Sequence, residues 1–194
     1  AAAYRLAALN GWDDTVYTHL SASVPGEPGH YLINPFGALF EEITASSLVK
    51  IDVEGNIISM PNTSYGINKS GYVIHGAIHK ARPDVKCVLH THMPYATSLA
   101  CLQDFELLML DQSSCRFFRR VAYDRNYAGM FLDDREGPRL AALLADGVST
   151  VFLGSHGVMV VGETARAANW GLNGYARQTT PQIGRASCRE RVSS

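Results

Sequence analysis

Two histidines one residue apart, His90 and His92, close an apolar run, Val85-Lys86-Cys87-Val88-Leu89. That run reads as a buried strand. Alternate side chains of a strand share a face, so the two imidazoles point together. A paired set of imidazoles at a strand end is the start of a metal site. A third candidate, His156, sits in Gly154-Ser155-His156-Gly157, after a second buried-strand pattern, Thr150-Val151-Phe152-Leu153. Its glycine neighbours allow backbones to approach closely. Three imidazoles on one divalent metal leave a coordination position open, as catalysis requires. Ring nitrogens of such a site should lie within roughly 3–4 Å of one another. The plainer alternative is a pair of hydrogen-bonded histidines at a strand terminus, with His156 an ordinary turn residue.

Other residues could share the chemistry. His75 and His79 are four apart on a helical pattern and share a face, so His75 is a candidate acid or base near the metal strand. A core histidine bonded to a carbonyl is the competing reading for both. His19 lies on a strand pattern that could face the same cleft. Tyr127, in the loop-rich stretch Tyr123-Asp124-Arg125-Asn126-Tyr127-Ala128-Gly129, is a candidate proton donor, with surface packing as its alternative. Lys69 could attract an anionic substrate, or simply be a solvated lysine.

These side chains need a scaffold. Ala1 to Asn10 reads as a helix stopped by Gly11. Thr15 to Val24 alternates as a strand and returns through Pro25-Gly26-Glu27-Pro28-Gly29 into Tyr31-Leu32-Ile33. Thr44 caps a short helix. Glu54-Gly55 turns between two further strands. Ser70 to Ala81 is a helix ended at Arg82-Pro83. The His90 strand follows, then a helix from Tyr95 to Cys101. Leu107 to Leu110 and Cys115 to Ala122 read as short strands. Arg135 to Ala145 reads as an amphipathic helix, Val151 to Leu153 and Val158 to Val161 as strands. Thr164 caps a final helix to about Arg177. Irregular alternation with several hairpins predicts an α/β protein with a mixed, mostly antiparallel sheet.

The 194 residues are 46% hydrophobic and 18% charged, with net charge -1, which suits one domain with a sizeable core. Nothing in that balance calls for a nucleic-acid or membrane partner. No apolar run reaches the roughly 18 residues of a spanning helix. The cysteines at 87, 101, 115 and 188 form no disulfide or C-x-x-C pattern. With no signal peptide read at the N-terminus, the expectation is a cytoplasmic protein. Neither end reads as native. The stretch Ile183-Gly184-Arg185-Ala186-Ser187-Cys188-Arg189-Glu190-Arg191-Val192 resembles a translated sequencing adapter. The domain is therefore expected over 1–181, with 182–194 a non-native tail.

Taken in order, several segments resemble the class II aldolase/adducin family. They are Tyr17-Thr18-His19-Leu20-Ser21, Leu32-Ile33-Asn34-Pro35-Phe36-Gly37, Leu48-Val49-Lys50-Ile51-Asp52, Ala81-Arg82-Pro83-Asp84-Val85, Leu89-His90-Thr91-His92 and Gly154-Ser155-His156-Gly157. The resemblance implies a three-layer α/β/α fold and a homotetramer with sites at subunit boundaries. It places the family's metal-binding histidines on His90, His92 and His156. Zinc is the first expectation, with Fe2+ or Mn2+ as alternatives. The family's sugar-phosphate aldolases carry a catalytic Glu where this chain has Gly71, within Lys69-Ser70-Gly71. Their phosphate loop falls on Thr18-His19, and Phe36 replaces a small residue before Gly37. The chain thus resembles the Glu-lacking, adducin-like branch. The implied activity is that of a metal-dependent lyase, of aldolase or decarboxylase type, on a small carbonyl or carboxylate substrate. A non-haem iron oxygenase on the same site, or an adducin-like actin-cytoskeleton module without catalysis, are the alternatives.

Overall fold

A computed structural model describes residues 1–126, 135–145 and 147–192, with side chains to residue 183. Its centre is the strand that ends at the histidine pair. Cys87–Thr91 (β5) is buried along its whole length, because apolar residues cover both of its faces. Cys87 and Leu89 pack on one side and Val88 on the other.

The preceding strands are His19–Ser23 (β1), His30–Ile33 (β2), Val49–Asp52 (β3) and Ile57–Ser59 (β4). The later ones are Val121–Asp124 (β6), Thr150–Leu153 (β7) and Gly157–Gly162 (β8). Among the described residues they form one sheet in the order β4-β3-β2-β1-β5-β8-β7-β6. Its pairs are antiparallel except β6 with β7, which run parallel. Helices cover both faces. Ala2–Leu9 (α1), Pro94–Ala100 (α3) and Ala165–Val192 (α5) lie on the Leu89 face, through Tyr4, Ala96, Leu172 and Tyr175. Lys69–Ala81 (α2) and Glu136–Leu143 (α4) lie on the Val88 face, through Ile74, Ile78 and Leu140. This is the expected three-layer α/β/α arrangement. The helices of the second layer touch closely at Gly137, where a Cβ would stand 2.5 Å from the Val73 carbonyl.

Asn68 caps α2 by accepting from the N–H groups of Ser70 and Gly71. Thr44 caps a single 3-10 turn, Ala45–Ser47. No helix of the described residues is long and apolar enough to cross a membrane.

Four elements differ from the sequence reading, the first three for a local reason. The first strand begins only at His19, because Thr15 sits at φ 52° and Tyr17 N–H closes a turn on the Asp14 carbonyl at 2.9 Å. Leu107 to Leu110 is not a strand. Its backbone is served by side chains instead: Leu107 N–H donates to the Tyr123 hydroxyl at 2.9 Å, and the Gln182 amide pairs with Leu108 N–H and carbonyl at 3.2 and 3.0 Å. Cys115 to Ala122 divides into a 3-10 turn, Ser114–Phe117, and β6. Asp111 and Ser114 exchange side-chain bonds with each other's backbone and nucleate that turn. The last helix runs past Arg177, and Gln178, Thr179 and Gln182 are buried along it.

Candidate metal centre

His90 lies on the α2 side of the sheet, in step with Val88, and is 2% exposed. Its Nδ1–H donates to the Val158 carbonyl of the neighbouring strand at 3.1 Å. That fixes the tautomer and leaves Nε2 as the nitrogen with the lone pair. His92 follows the strand end, half-buried, and donates Nδ1–H to Asp14 Oδ2 at 2.9 Å. Its Nε2 is turned to His90 Nε2 at 3.1 Å. His156 enters from the β7–β8 turn. Ser155 holds a positive φ of 53° there, anchored by its N–H to the Ala100 carbonyl at 2.9 Å. A Cβ at Gly157 would stand 2.8 Å from both His92 Cδ2 and the Thr91 carbonyl, so only glycine lets the turn close over the pair. The structure brings His90, His92 and His156 together, with one ligating nitrogen from each within 4.8 Å of the others.

This donor set fits a divalent cation. Two Nδ1–H groups are spent on fixed acceptors, and the Nε2 atoms converge. Without a cation, two lone pairs face each other at 3.1 Å unless one of the two rings carries a further proton. Burial works against protonating His90, whose pKa lies well below the ordinary value, lowered further by His156 and His19. Burial likewise brings His156 down to about 4, with His92 adding to the shift and Asp124 opposing it. Asp124 is itself buried and held by a two-pronged ion pair from Arg139, at 2.9 and 2.7 Å.

Behind the cluster runs a second set of imidazoles. The His19 and His90 rings are 4.9 Å apart. His19 Nδ1 meets His75 Nε2 at 2.9 Å, and His75 Nδ1 meets Ser21 Oγ at 2.7 Å. Ser21 Oγ meets His79 Nε2 at 2.9 Å, and His79 Nδ1–H reaches the Val85 carbonyl at 3.4 Å and Ser23 Oγ at 3.3 Å. Burial lowers the pKa of His19 to about 3 and of His79 to about 4, and that of His75 well below its ordinary value. His75 is fully buried, both nitrogens engaged, with His19 beside both it and His90.

Gly71 supplies no side chain, and a Cβ there would lie 3.2 Å from the His19 ring. His19 thus fills the volume that a larger residue at 71 would need. Lys69 is exposed, as is Phe36. Tyr123 is tied to Leu107 and stacked near Phe105 and Phe152. Tyr127 lies outside the described residues. Sequence reasoning missed Asp14, the partner of His92, and Ser21, the junction of the buried chain. Asp14 carries no signal of its own. The alternation of His19, Ser21 and Ser23 on one strand face was a usable sign for Ser21.

The sequence pattern of the class II aldolase and adducin N-terminal domain matches residues 1–175. A putative aldolase class 2 protein of Pseudomonas aeruginosa is 47% identical over 84% of this chain and 60% of its own. The chain therefore spans less than two thirds of that relative. Alpha-adducin of Rattus norvegicus is 38% identical over 87% of this chain and 22% of its own. Among solved structures, an L-fuculose 1-phosphate aldolase from Glaciozyma antarctica superposes with a TM-score of 0.85 at 31% identity, covering 94% of this chain and 69% of the other.

Proposed function

This chain belongs to the class II aldolase and adducin family, and from that membership we propose that it is a divalent-metal-dependent lyase acting on a small carbonyl or carboxylate substrate. The observation that carries the reading is the 3.1 Å approach of His90 Nε2 and His92 Nε2, each ring pinned through Nδ1. His90, His92 and His156 would hold the cation, zinc first among those suited to imidazole, with Fe2+ or Mn2+ as alternatives. There the cation would supply Lewis-acid polarisation of a carbonyl or carboxylate oxygen. The chain's own residues do the rest. Val158 and Asp14 orient the ligand rings, and Gly157 leaves room for the His92 ring and the Thr91 carbonyl. His75 acts through His19, which stands nearer the cluster, and Tyr127 is retained as a proton donor.

The substrate is placed outside the sugar phosphates. Gly71 has no group to move a proton, and the exposed ring of Phe36 offers no hydrogen bond to a phosphate. Robust cleavage of a ketose 1-phosphate would overturn this restriction. The protein is proposed to be a cytoplasmic homotetramer, its family domain over 1–181, with the metal site near a subunit boundary; sedimentation tests the assembly. The likeness to alpha-adducin supports a second reading, a cytoskeletal interaction module without catalysis. Elemental analysis of anaerobically purified protein separates them. Zinc or manganese supports the lyase, iron turns the reading toward dioxygen chemistry, and absence of metal supports the module.

A further inference from the structure

The buried imidazole chain has a direction. A backbone carbonyl can only accept, so the contact of His79 Nδ1 with the Val85 carbonyl at 3.4 Å places the proton on Nδ1, and the Ser23 hydroxyl at 3.3 Å then accepts from the same N–H. In a neutral ring, His79 Nε2 is then an acceptor, and the hydroxyl of Ser21 donates to it at 2.9 Å. A hydroxyl has one proton. Ser21 Oγ therefore accepts from His75 Nδ1–H at 2.7 Å, which leaves His75 Nε2 without a proton. His75 Nε2 in turn accepts from His19 Nδ1–H at 2.9 Å. Each bond determines the next, and the last determines that His19 Nε2 is bare. The rings concerned are at most 9% exposed, which keeps them neutral, and the order of the bonds follows from the proton on His79 Nδ1.

We propose that Val85, His79, Ser21 and His75 form a tautomer-setting relay that presents the unprotonated Nε2 of His19 beside the His90 ring of the three-histidine cluster, as a hydrogen-bond acceptor for a hydroxyl or ammonium of the bound substrate. Gly71 is part of the device, since a Cβ there would press on the His19 ring at 3.2 Å. Ser21, His75 and His79 are positioning residues, acting through His19. The inference assigns the face of the cleft beside His90 to a proton-bearing group of the ligand, and so deepens the lyase reading. The relay itself does not depend on that reading, because its bonds involve no metal ligand.

The test is nitrogen NMR of protein labelled with 15N-histidine, with His19 assigned through His19→Gln. In the unaltered protein, the His19 proton should sit on Nδ1, with a through-hydrogen-bond 15N–15N coupling to His75 Nε2. A His19 proton on Nε2, or a coupling whose proton belongs to His75, overturns the relay. Ser21→Ala removes the junction, so His19 should become a mixture of tautomers, and Ser21→Thr should restore the single form. An unchanged His19 spectrum in folded Ser21→Ala also overturns the proposal. Should Ser21→Ala not fold, the coupling in the unaltered protein decides alone. Metal titration of the same samples keeps the two readings apart. An intact relay that binds neither zinc nor manganese in parallel titrations sinks the lyase, and metal binding with the wrong tautomer sinks the relay.

Discussion

Two groups of histidines share the middle of this sheet and are built from the same side chain in opposite ways. In the outer group, His90 and His92 each spend Nδ1 on an oxygen that cannot pass the proton on, the Val158 carbonyl and the Asp14 carboxylate. Their Nε2 atoms are left to converge. In the inner group, the partner of one imidazole is another imidazole or a hydroxyl, from His19 through His75 and Ser21 to His79. There, each nitrogen is committed in series and only one lone pair emerges at the end. The lesson is that the second nitrogen decides what a buried histidine can do. Capped by a fixed acceptor, it becomes a ligand; joined to another amphoteric group, it becomes part of a relay.

Removing a ring from the outer group should have the largest effect. His156→Ala or His90→Ala is expected to weaken zinc binding by more than about 100-fold in calorimetric titration, exceeding the loss from an outer-shell partner. The inner group should keep its His19–His75 coupling in His156→Ala. If His156→Ala binds zinc as the unaltered protein does, the two groups have been divided wrongly.

Acid should act on the inner group next. Its pKa values are depressed, to about 3 for His19 and about 4 for His79, against an unfolded value near 6.5. Between those limits the unfolded chain binds more protons, so stability rises with pH. Stability from these rings is therefore complete above about pH 6.5 and is lost as pH falls toward their folded values. The loss should be on the order of a few kcal/mol in urea unfolding of metal-free protein. Replacing His79 by Gln should flatten that slope, and a slope unchanged by the replacement would show that His79 is not buried neutral.

Asp14 offers a smaller and more selective probe. It is half-exposed and touches the outer group only through His92 Nδ1. Asp14→Asn should weaken zinc binding by about 10-fold, the low end for an orienting partner, and leave the His19 tautomer untouched. A shift at His19 would mean that the two groups communicate through His90.

The unequal legibility of the two groups has a physical origin. The outer histidines sit where sequence periodicity speaks directly: an apolar strand ends at His90, and glycines bracket His156. Layering and the central strands were equally legible, because burial on both faces writes long apolar runs such as Cys87 to Leu89 and Val158 to Val161. The inner group was half visible. A spacing of four puts His75 and His79 on one helix face, but their partners Ser21 and His19 lie 54 to 58 residues earlier. Nothing local says that β1 will cross α2 there. Asp14 was hidden for another reason. The segment after it reads as a strand, and only the positive φ at Thr15 reveals the turn that aims its carboxylate at His92.

The finest test lies where the inner group meets Gly71. Gly71 is the third residue of α2, and Gly→Ala in a helix ordinarily stabilises by up to about 1 kcal/mol. Here the new methyl would press on the His19 ring at 3.2 Å, and that ring is held by its 2.9 Å bond to His75. The ring must give by a few tenths of an ångström, which costs the bond its alignment rather than unfolding the chain. The two terms oppose, so Gly71→Ala should change stability by no more than about 1 kcal/mol in either direction. Its signature should appear instead in the nitrogen spectrum, as a weakened His19–His75 coupling with zinc affinity intact. A stabilised variant with the coupling unchanged would mean that His19 has room to spare. The pairing of a small residue at 71 with a histidine at 19 would then be incidental, and the inner group would have no fixed position against the outer one.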